Sequence, residues 1–374
     1  MSRMNEILQR IKKNWFTRLD RYIIKKFLGT YVFSIALIIS ISVVFDINEK
    51  IDSFVTNHAP LKGLIFDYYM NFIPYFSNLF SALFVFISVI FFTTKMADNS
   101  EIIAMFSTGM SFKRMMRPYM LSATVIAIVT FVLGAYVIPP GNEARINFDT
   151  FYRKKKVETF RRNVQLEVDT GVIAYMQRYE EFNKTGYRFS LDKFVDKKLV
   201  SHLTAATARY DTTQYHHWIV SNYMIRNLEG NREVIVRGEE LDTLLQMEPR
   251  DILTTRGQQE TMTSPQLKQY ITRQKQRGYA NIQVFEIEYH KRIAMSFAAF
   301  ILTAIGVSLC SRKVKGGMGL YLGIGLGLSF SYILFQTISA TFATNGNMNP
   351  VLAVWLPNIV FAIIAVFIYR RAPK

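Results

Sequence analysis

Uncharged apolar runs occupy residues 28–45, 68–94, 118–142, 293–311 and 316–369. Each of the first four is about the length one helix needs to cross a hydrocarbon core of roughly 30 Å. The last run is too long for a single crossing, and it divides at Asn345-Gly-Asn-Met-Asn-Pro350, a cluster of turn-forming residues where a helix stops. The pattern therefore predicts six membrane-spanning helices.

Between the third and fourth runs the period changes. Asn163–Val168, Gly171–Met176, Tyr187–Leu191, Trp218–Ile225 and Glu233–Arg237 alternate apolar and polar residues. Period-two alternation with β-branched and aromatic enrichment and Gly, Asn and Asp punctuation predicts an all-β sandwich or jelly roll over 143–262. Helical spacing returns at 264–280: Ser264-Pro265 supplies an N-cap and first-turn pair, Leu267, Tyr270 and Ile271 share a face, and Gly278 is a stop. The expected class is an α-helical membrane protein with an inserted all-β domain. Residues 1–142 hold an N-terminal tail and spans one to three, 143–262 the β-jelly-roll-like domain, and 263–374 a connecting helix and spans four to six.

Charge orients this frame. With the N-terminus in the cytoplasm, the short inner segments 1–27, 95–117, 312–315 and 370–374 carry 18 Lys and Arg, whereas the short outer segments 46–67 and 345–350 carry only Lys50 and Lys62. Basic residues near span ends favour the cytoplasmic side, so both termini are expected inside and the β domain in the periplasm. Much of the net charge of +17 lies on those inner segments, where anionic lipid headgroups account for it. Nucleic acid is not an expected partner. The first apolar run follows a basic preface of 27 residues with no small-x-small cleavage site after it, which reads as a retained signal anchor. A single cysteine, Cys310, excludes an intramolecular disulfide.

Candidate chemistry is sparse. No phosphate-binding G-x-x-x-x-G-K-[ST] loop occurs, and Gly323-x-Gly325 lies inside span five. His202, His216 and His217 lack converging metal ligands, and adjacent strand residues point to opposite faces. The notable segment is Met96–Met115, a short stretch between spans two and three. Asp98 and Glu101 have capping-box spacing, Ile102, Ile103, Met105 and Phe106 give an apolar face, and Gly109 is a natural C′ residue. The expected element is a helix near 98–109 on which a soluble motor docks, with Glu101 meeting a basic groove. Gly319, Gly323 and Gly327 form a small-xxx-small ladder for close packing, within the chain or with a second subunit. Cations also gather at outer span ends: Lys50, Arg145, Arg153-Lys-Lys-Lys156, Lys291 and Arg292. Solvated faces explain such residues by default, and phosphates at headgroup level would need them too.

Several ordered motifs resemble the LptF/LptG family of lipopolysaccharide export permeases over nearly the whole chain. They are Leu19-Asp-Arg-Tyr-Ile23, then Ser100-Glu101, Ala104-Met105, Gly109, Ser111 and Arg114, then Pro139-x-x-Asn142 and Glu288-Tyr-His-Lys-Arg-Ile293. The resemblance implies a permease half of an ABC exporter that takes lipopolysaccharide from the outer leaflet of the inner membrane. Its implied partners are a paralogous LptF or LptG permease, a dimeric LptB-like ATPase docked at the Glu101 loop, and an LptC/LptA-like periplasmic bridge. The chain itself would bind no cofactor, ATP and Mg being used by the ATPase. It implies coupling roles for Glu101, Ile102, Met105, Phe106, Gly109 and Arg114. Two positions depart from the family: Asp46 stands where relatives often carry lysine, and Ser296 where they commonly carry proline. The first moves the expected lipid contact to Lys50, Arg145, Lys291 and Arg292. A reading from another class, a membrane-anchored receptor or scaffold with a periplasmic β domain, predicts no bound ATPase.

Overall fold

The computed structural model describes residues 17–153, 160–230, 232–252, 257–276, 282–311, 317–345 and 348–372. The chain forms two compact units, Met1–Tyr152 with Gln283–Lys374, and Arg153–Ile282.

Six helices of the first unit are long and apolar enough to cross a membrane. Span one is Arg18–Thr56, span two Ser81–Asp98, span three Phe112–Tyr152, span four Gln283–Cys310, span five Gly317–Thr344 and span six Pro350–Arg371. Span two is the central pillar: Val85, Phe86, Val89 and Ile90 are fully buried. Spans one and five are peripheral, with only 17% and 22% of their apolar windows buried. The break at 345–350 forms as expected; the Asn349 side chain accepts from the Val351 N–H at 2.9 Å, and Pro350 takes the first helical turn.

Two spans differ from the hydropathy reading. The run at 68–94 is not one helix: Met70–Leu79 ends at Phe80, whose φ of −97° and ψ of 12° lie outside the helical range, and span two starts afresh at Ser81. Span three does not close with its uncharged run at Asn142. A π-helical turn at Leu133–Val137 precedes Pro139-Pro140, and the helix then continues to Tyr152. A proline ring clashes with the carbonyl four residues back and offers no N–H; the wider π turn sits where that clash falls and lets the helix run on.

The second unit holds one six-stranded antiparallel sheet: β1 Phe160–Asp169, β2 Val172–Glu180, β3 Thr185–Val195, β4 Lys198–Tyr210, β5 His217–Glu229 and β6 Arg232–Leu244, in sequential order. It is a meander in a single sheet rather than two sheets with jelly-roll crossings. Its register shows how one sheet encloses a core. Pairing holds immediately on both sides of the row 163–177–188–206–222–239, for example Arg162 with Arg178 and Val164 with Met176, yet the row itself is unpaired across all six strands. Alternate members Asn163, Arg188 and Asn222 are left-handed, with φ of 52°, 50° and 52°. Crossing the row inverts the alternation: buried Met176 is followed by buried Tyr179, and Ala205 by Ala208, three residues on instead of two. Both flanks thereby contribute to one core with Trp218 and Val220. A transverse crease does what a second sheet would do in a sandwich.

The connecting helix spans Ser264–Gln276, and its cap is Thr263 rather than Ser264: the Gln266 side chain accepts from the Thr263 N–H at 2.9 Å. The expected stop at Gly278 lies outside the described residues, as do Lys154–Lys156.

Candidate functional site at the Glu101 helix

Between spans two and three a two-turn helix, Glu101–Ser107, forms where docking was expected. Its start differs from the capping-box reading. Span two carries its helix through Asp98, Asn99 caps that end, and Ser100 turns the chain with a left-handed φ of 60° and no side-chain cap. Asp98 therefore belongs to the preceding helix. Ile102 and Met105 are buried in the core of the helical unit, and the Phe106 ring lies 6.5 Å from that of Phe112. Gly109 ends the element with a φ of +84°. Its N–H reaches the Phe106 carbonyl at 3.0 Å while that of Met110 reaches Met105 at 3.3 Å, the paired bonds of a Schellman motif.

The opposite side of the helix is open. Ile103 is 54% exposed, and Ala104, Ser107 and Thr108 face outward beside it. Glu101 is half-buried; its carboxylate accepts from the Tyr22 hydroxyl at 3.2 Å and the Asn99 amide at 3.3 Å. Arg114 points elsewhere, to Asp20 of the Leu19–Ile23 motif, to which the sequence reading gave no role. Its guanidinium grips the Asp20 carboxylate with two bonds of 2.7 and 2.6 Å, and Asp20 is 3% exposed. Asp20 also completes a capping box with Thr17 at the start of span one. The spacing Thr17-x-x-Asp20 was the available signal. One ion pair thus ties the start of span one to the start of span three, immediately after the Glu101 helix.

At the other end of these spans the expected lipid-contact cations are placed differently from one another. Lys50 bonds the Asp46 carboxylate and the Tyr68 hydroxyl, and lies over the Tyr68 and Phe72 rings at 5.1 and 6.0 Å. Tyr69 donates to the other Asp46 oxygen at 3.3 Å. Arg145 donates twice to the Asn142 side-chain oxygen, at 2.9 and 2.6 Å, and stacks 4.6 Å from the Tyr75 ring. Arg292 donates to Glu288 at 3.0 Å, with side-chain exposures of 5% and 17%. Lys291, half-exposed, is the one of the four with no side-chain partner among the described residues. At Ser296 the hydroxyl donates to the Arg292 carbonyl at 3.2 Å, and span four stays continuous.

On span five, a Cβ added at Gly319, Gly323 or Gly327 would meet nothing within 4 Å. Among the described residues the ladder is thus not used for packing within the chain. That contact is made by Gly325, where a Cβ would lie 2.1 Å from the Ile90 side chain. In the sheet, His202 pairs with Asp192 and His217 with Asp242 at 3.0 Å; the histidines do not converge, and no metal-holding cluster occurs among the described residues.

Six apolar spans, an inserted sheet and an anchored short helix with one open face define a multi-pass membrane protein. Residues 21–371 match the family model for the lipopolysaccharide export system permease LptF/LptG, and the chain belongs to that family. It is a transport subunit of the inner membrane. A comparison with curated proteins gave no match.

Proposed function

We propose that this chain is one permease subunit of an ABC transporter that extracts lipopolysaccharide from the outer leaflet of the inner membrane. A paralogous LptF- or LptG-type permease supplies the other half of the membrane cavity. A dimeric LptB-like ATPase, using ATP and Mg, docks on the Glu101 helix, and an LptC/LptA-like bridge receives the lipid on the periplasmic side. Both termini lie in the cytoplasm and the sheet in the periplasm. The observation that carries this reading is the split character of Glu101–Ser107: Ile102 and Met105 lock it into the core, while Glu101, Ile103 and Ala104 remain available. A helix anchored in this way passes a push from a soluble partner into the spans.

Two further features support the partners. The glycine ladder leaves a shallow stripe on peripheral span five where another helix can approach at backbone distance. Strand β6 is an edge of the sheet, unpaired on its outer side among the described residues, with exposed Val234, Ile235 and Val236, the kind of strand to which a bridging sheet adds by main-chain hydrogen bonds. Lys291 is the best-placed cation for a lipid phosphate, because Lys50, Arg145 and Arg292 already have partners inside the chain.

The test is co-purification in mild detergent with the co-expressed ATPase. Glu101→Lys is expected to lower recovery of the ATPase at least about tenfold, since reversing a charge at a docking face costs more than ~1.4 kcal/mol, at unchanged membrane abundance. Full recovery with the variant removes Glu101 from the interface. Failure of the unaltered chain to retain any ATPase favours the anchored receptor instead.

A further inference from the structure

A groove of about 450 Å³ opens on span one, lined by Tyr22, Lys25, Lys26, Gly29, Thr30, Phe33 and, from span two, Phe91. Its composition is graded along the helix. Lys25 and Lys26 stand at one end, exposed, and neither has an ion-pair partner among the described residues. Just beyond them the uncharged run begins at residue 28, and the groove continues between Phe33, 66% exposed, and Phe91, 39% exposed. Gly29 forms the floor, with nothing within 4 Å of the position its Cβ would take. No acidic residue lines the groove.

We infer that this groove binds an anionic phospholipid, its phosphate against Lys25 and Lys26 and an acyl chain along Gly29, Phe33 and Phe91. The gradient is that of an amphiphile lying across the boundary between headgroups and hydrocarbon. Basic side chains at that depth attract anionic headgroups by roughly 1 kcal/mol each, and in hydrocarbon an acyl chain is held beside the two aromatic rings by van der Waals packing. A transmembrane helix is a poorer match. The groove covers Tyr22 to Phe33, only about 18 Å of helix at ~1.5 Å per residue, and one end is charged. The inference rests on the membrane frame and on neither the ATPase nor the transported lipid. One wall residue, Tyr22, is also the hydrogen-bond donor to Glu101, so the lipid lies beside the docking helix.

The experiment uses the full chain in nanodiscs, with two photoactivatable probes that share a diazirine-bearing acyl chain, one phosphatidylglycerol and one phosphatidylcholine. Labelled peptides are located by mass spectrometry. The phosphatidylglycerol probe is expected to label 29–33 and the peptide containing Phe91, with the phosphatidylcholine probe at least about tenfold weaker. Lys25→Gln with Lys26→Gln should reduce labelling about thirtyfold, from two basic residues at that cost each. Gly29→Leu, which plugs the floor without a clash at its Cβ, should abolish chain labelling while melting temperature is kept. Equal labelling by both probes, or labelling indifferent to all three substitutions, overturns the inference. Repeating the measurement with the partner subunits present reads a second possibility: labelling that disappears there, with a crosslink from Gly29→Cys to a partner helix, assigns the groove to the subunit interface and overturns it too. Labelling that persists when ATPase docking fails leaves the two proposals separately judged.

Discussion

The two ends of the helical unit treat most of their cations differently, with Lys291 the exception at the Asp46 end, half-exposed and without a partner among the described residues. At the Asp46 end, Lys50, Arg145 and Arg292 are held by a carboxylate, an amide oxygen or an aromatic face within the chain. At the Glu101 end, Arg114 is locked to Asp20 and Arg371 lies 4.2 Å over the Phe367 ring, while Lys25 and Lys26 have no side-chain partner among the described residues and stand beside an open groove. A side chain already neutralised inside the protein contributes to the fold when it is kept and breaks the fold when it is lost. One without a partner contributes to whatever binds later. Position at a membrane boundary therefore does not assign a cation to a ligand; its existing partner decides.

The strongest break of this comparison is at Arg292. Removing one member of a buried ion pair leaves the other uncompensated, at about 3–5 kcal/mol. Arg292→Ala should sharply lower membrane abundance and melting temperature, and Arg292→Ala with Glu288→Ala should recover part of the loss. If Arg292→Ala melts normally and loses only lipid capture, Arg292 is a ligand residue and the contrast between the ends fails. The same reasoning applies more weakly to Asp20→Asn. Asp20 is 3% exposed, but its partner Arg114 keeps 26% of its side-chain surface, so water compensates the stranded guanidinium. A loss of about 2 kcal/mol is expected, read as a lower melting temperature, whereas Lys25→Gln with Lys26→Gln should stay within about 0.5 kcal/mol. A melting temperature that falls equally in both would show that the Glu101 end is sealed as well.

Much of this arrangement was legible in the sequence, and the parts that were not have physical causes. Uncharged runs set the spans, because only satisfied helices cross hydrocarbon. They did not reveal that 68–94 contains a break at Phe80, since both halves are equally apolar. Gly109 was readable because a left-handed stop favours glycine; Ser100 was not, because serine there has no such signature. Strand β4 was missed since its inward positions include Ala205 and Ala208, small residues without the branched signal of a strand. The crease was hidden for a related reason: Asn163, Arg188 and Asn222 interrupt their strands singly, and only the register aligns them in one row. Pairing partners likewise decided the cations, and partners far apart in sequence leave no periodic trace.

Glycines on span five sharpen the comparison with smaller effects. Gly325→Leu places a side chain against Ile90 and should destabilise the isolated chain by about 1–3 kcal/mol through overpacking. Gly323→Leu meets open space and should leave the melting temperature of the isolated chain unchanged while weakening recovery of the paralogous permease. Thermal melts of the single chain and pull-down of the pair measure the two outcomes. Normal assembly with Gly323→Leu would mean that this face points to lipid and that the ladder has no role.

The smallest expected effect is at Ser100, the residue that turns the chain from span two into the Glu101–Ser107 helix. Its φ of 60° lies in the left-handed region, and its side chain makes no cap bond. Outside glycine that conformation costs roughly 1–2 kcal/mol, and a glycine also gains freedom in the unfolded chain, which offsets part of the relief. Ser100→Gly should therefore raise the melting temperature slightly, by an amount corresponding to about 0.5 kcal/mol, with ATPase recovery kept because Glu101, Ile103 and Ala104 stay where they are. Ser100→Val, whose branched side chain tolerates left-handed backbone poorly, should act oppositely and displace the Glu101–Ser107 helix. Equal recovery of the ATPase with glycine and valine would show that the start of this helix is too compliant to position Glu101, and would count against the proposed docking at this helix.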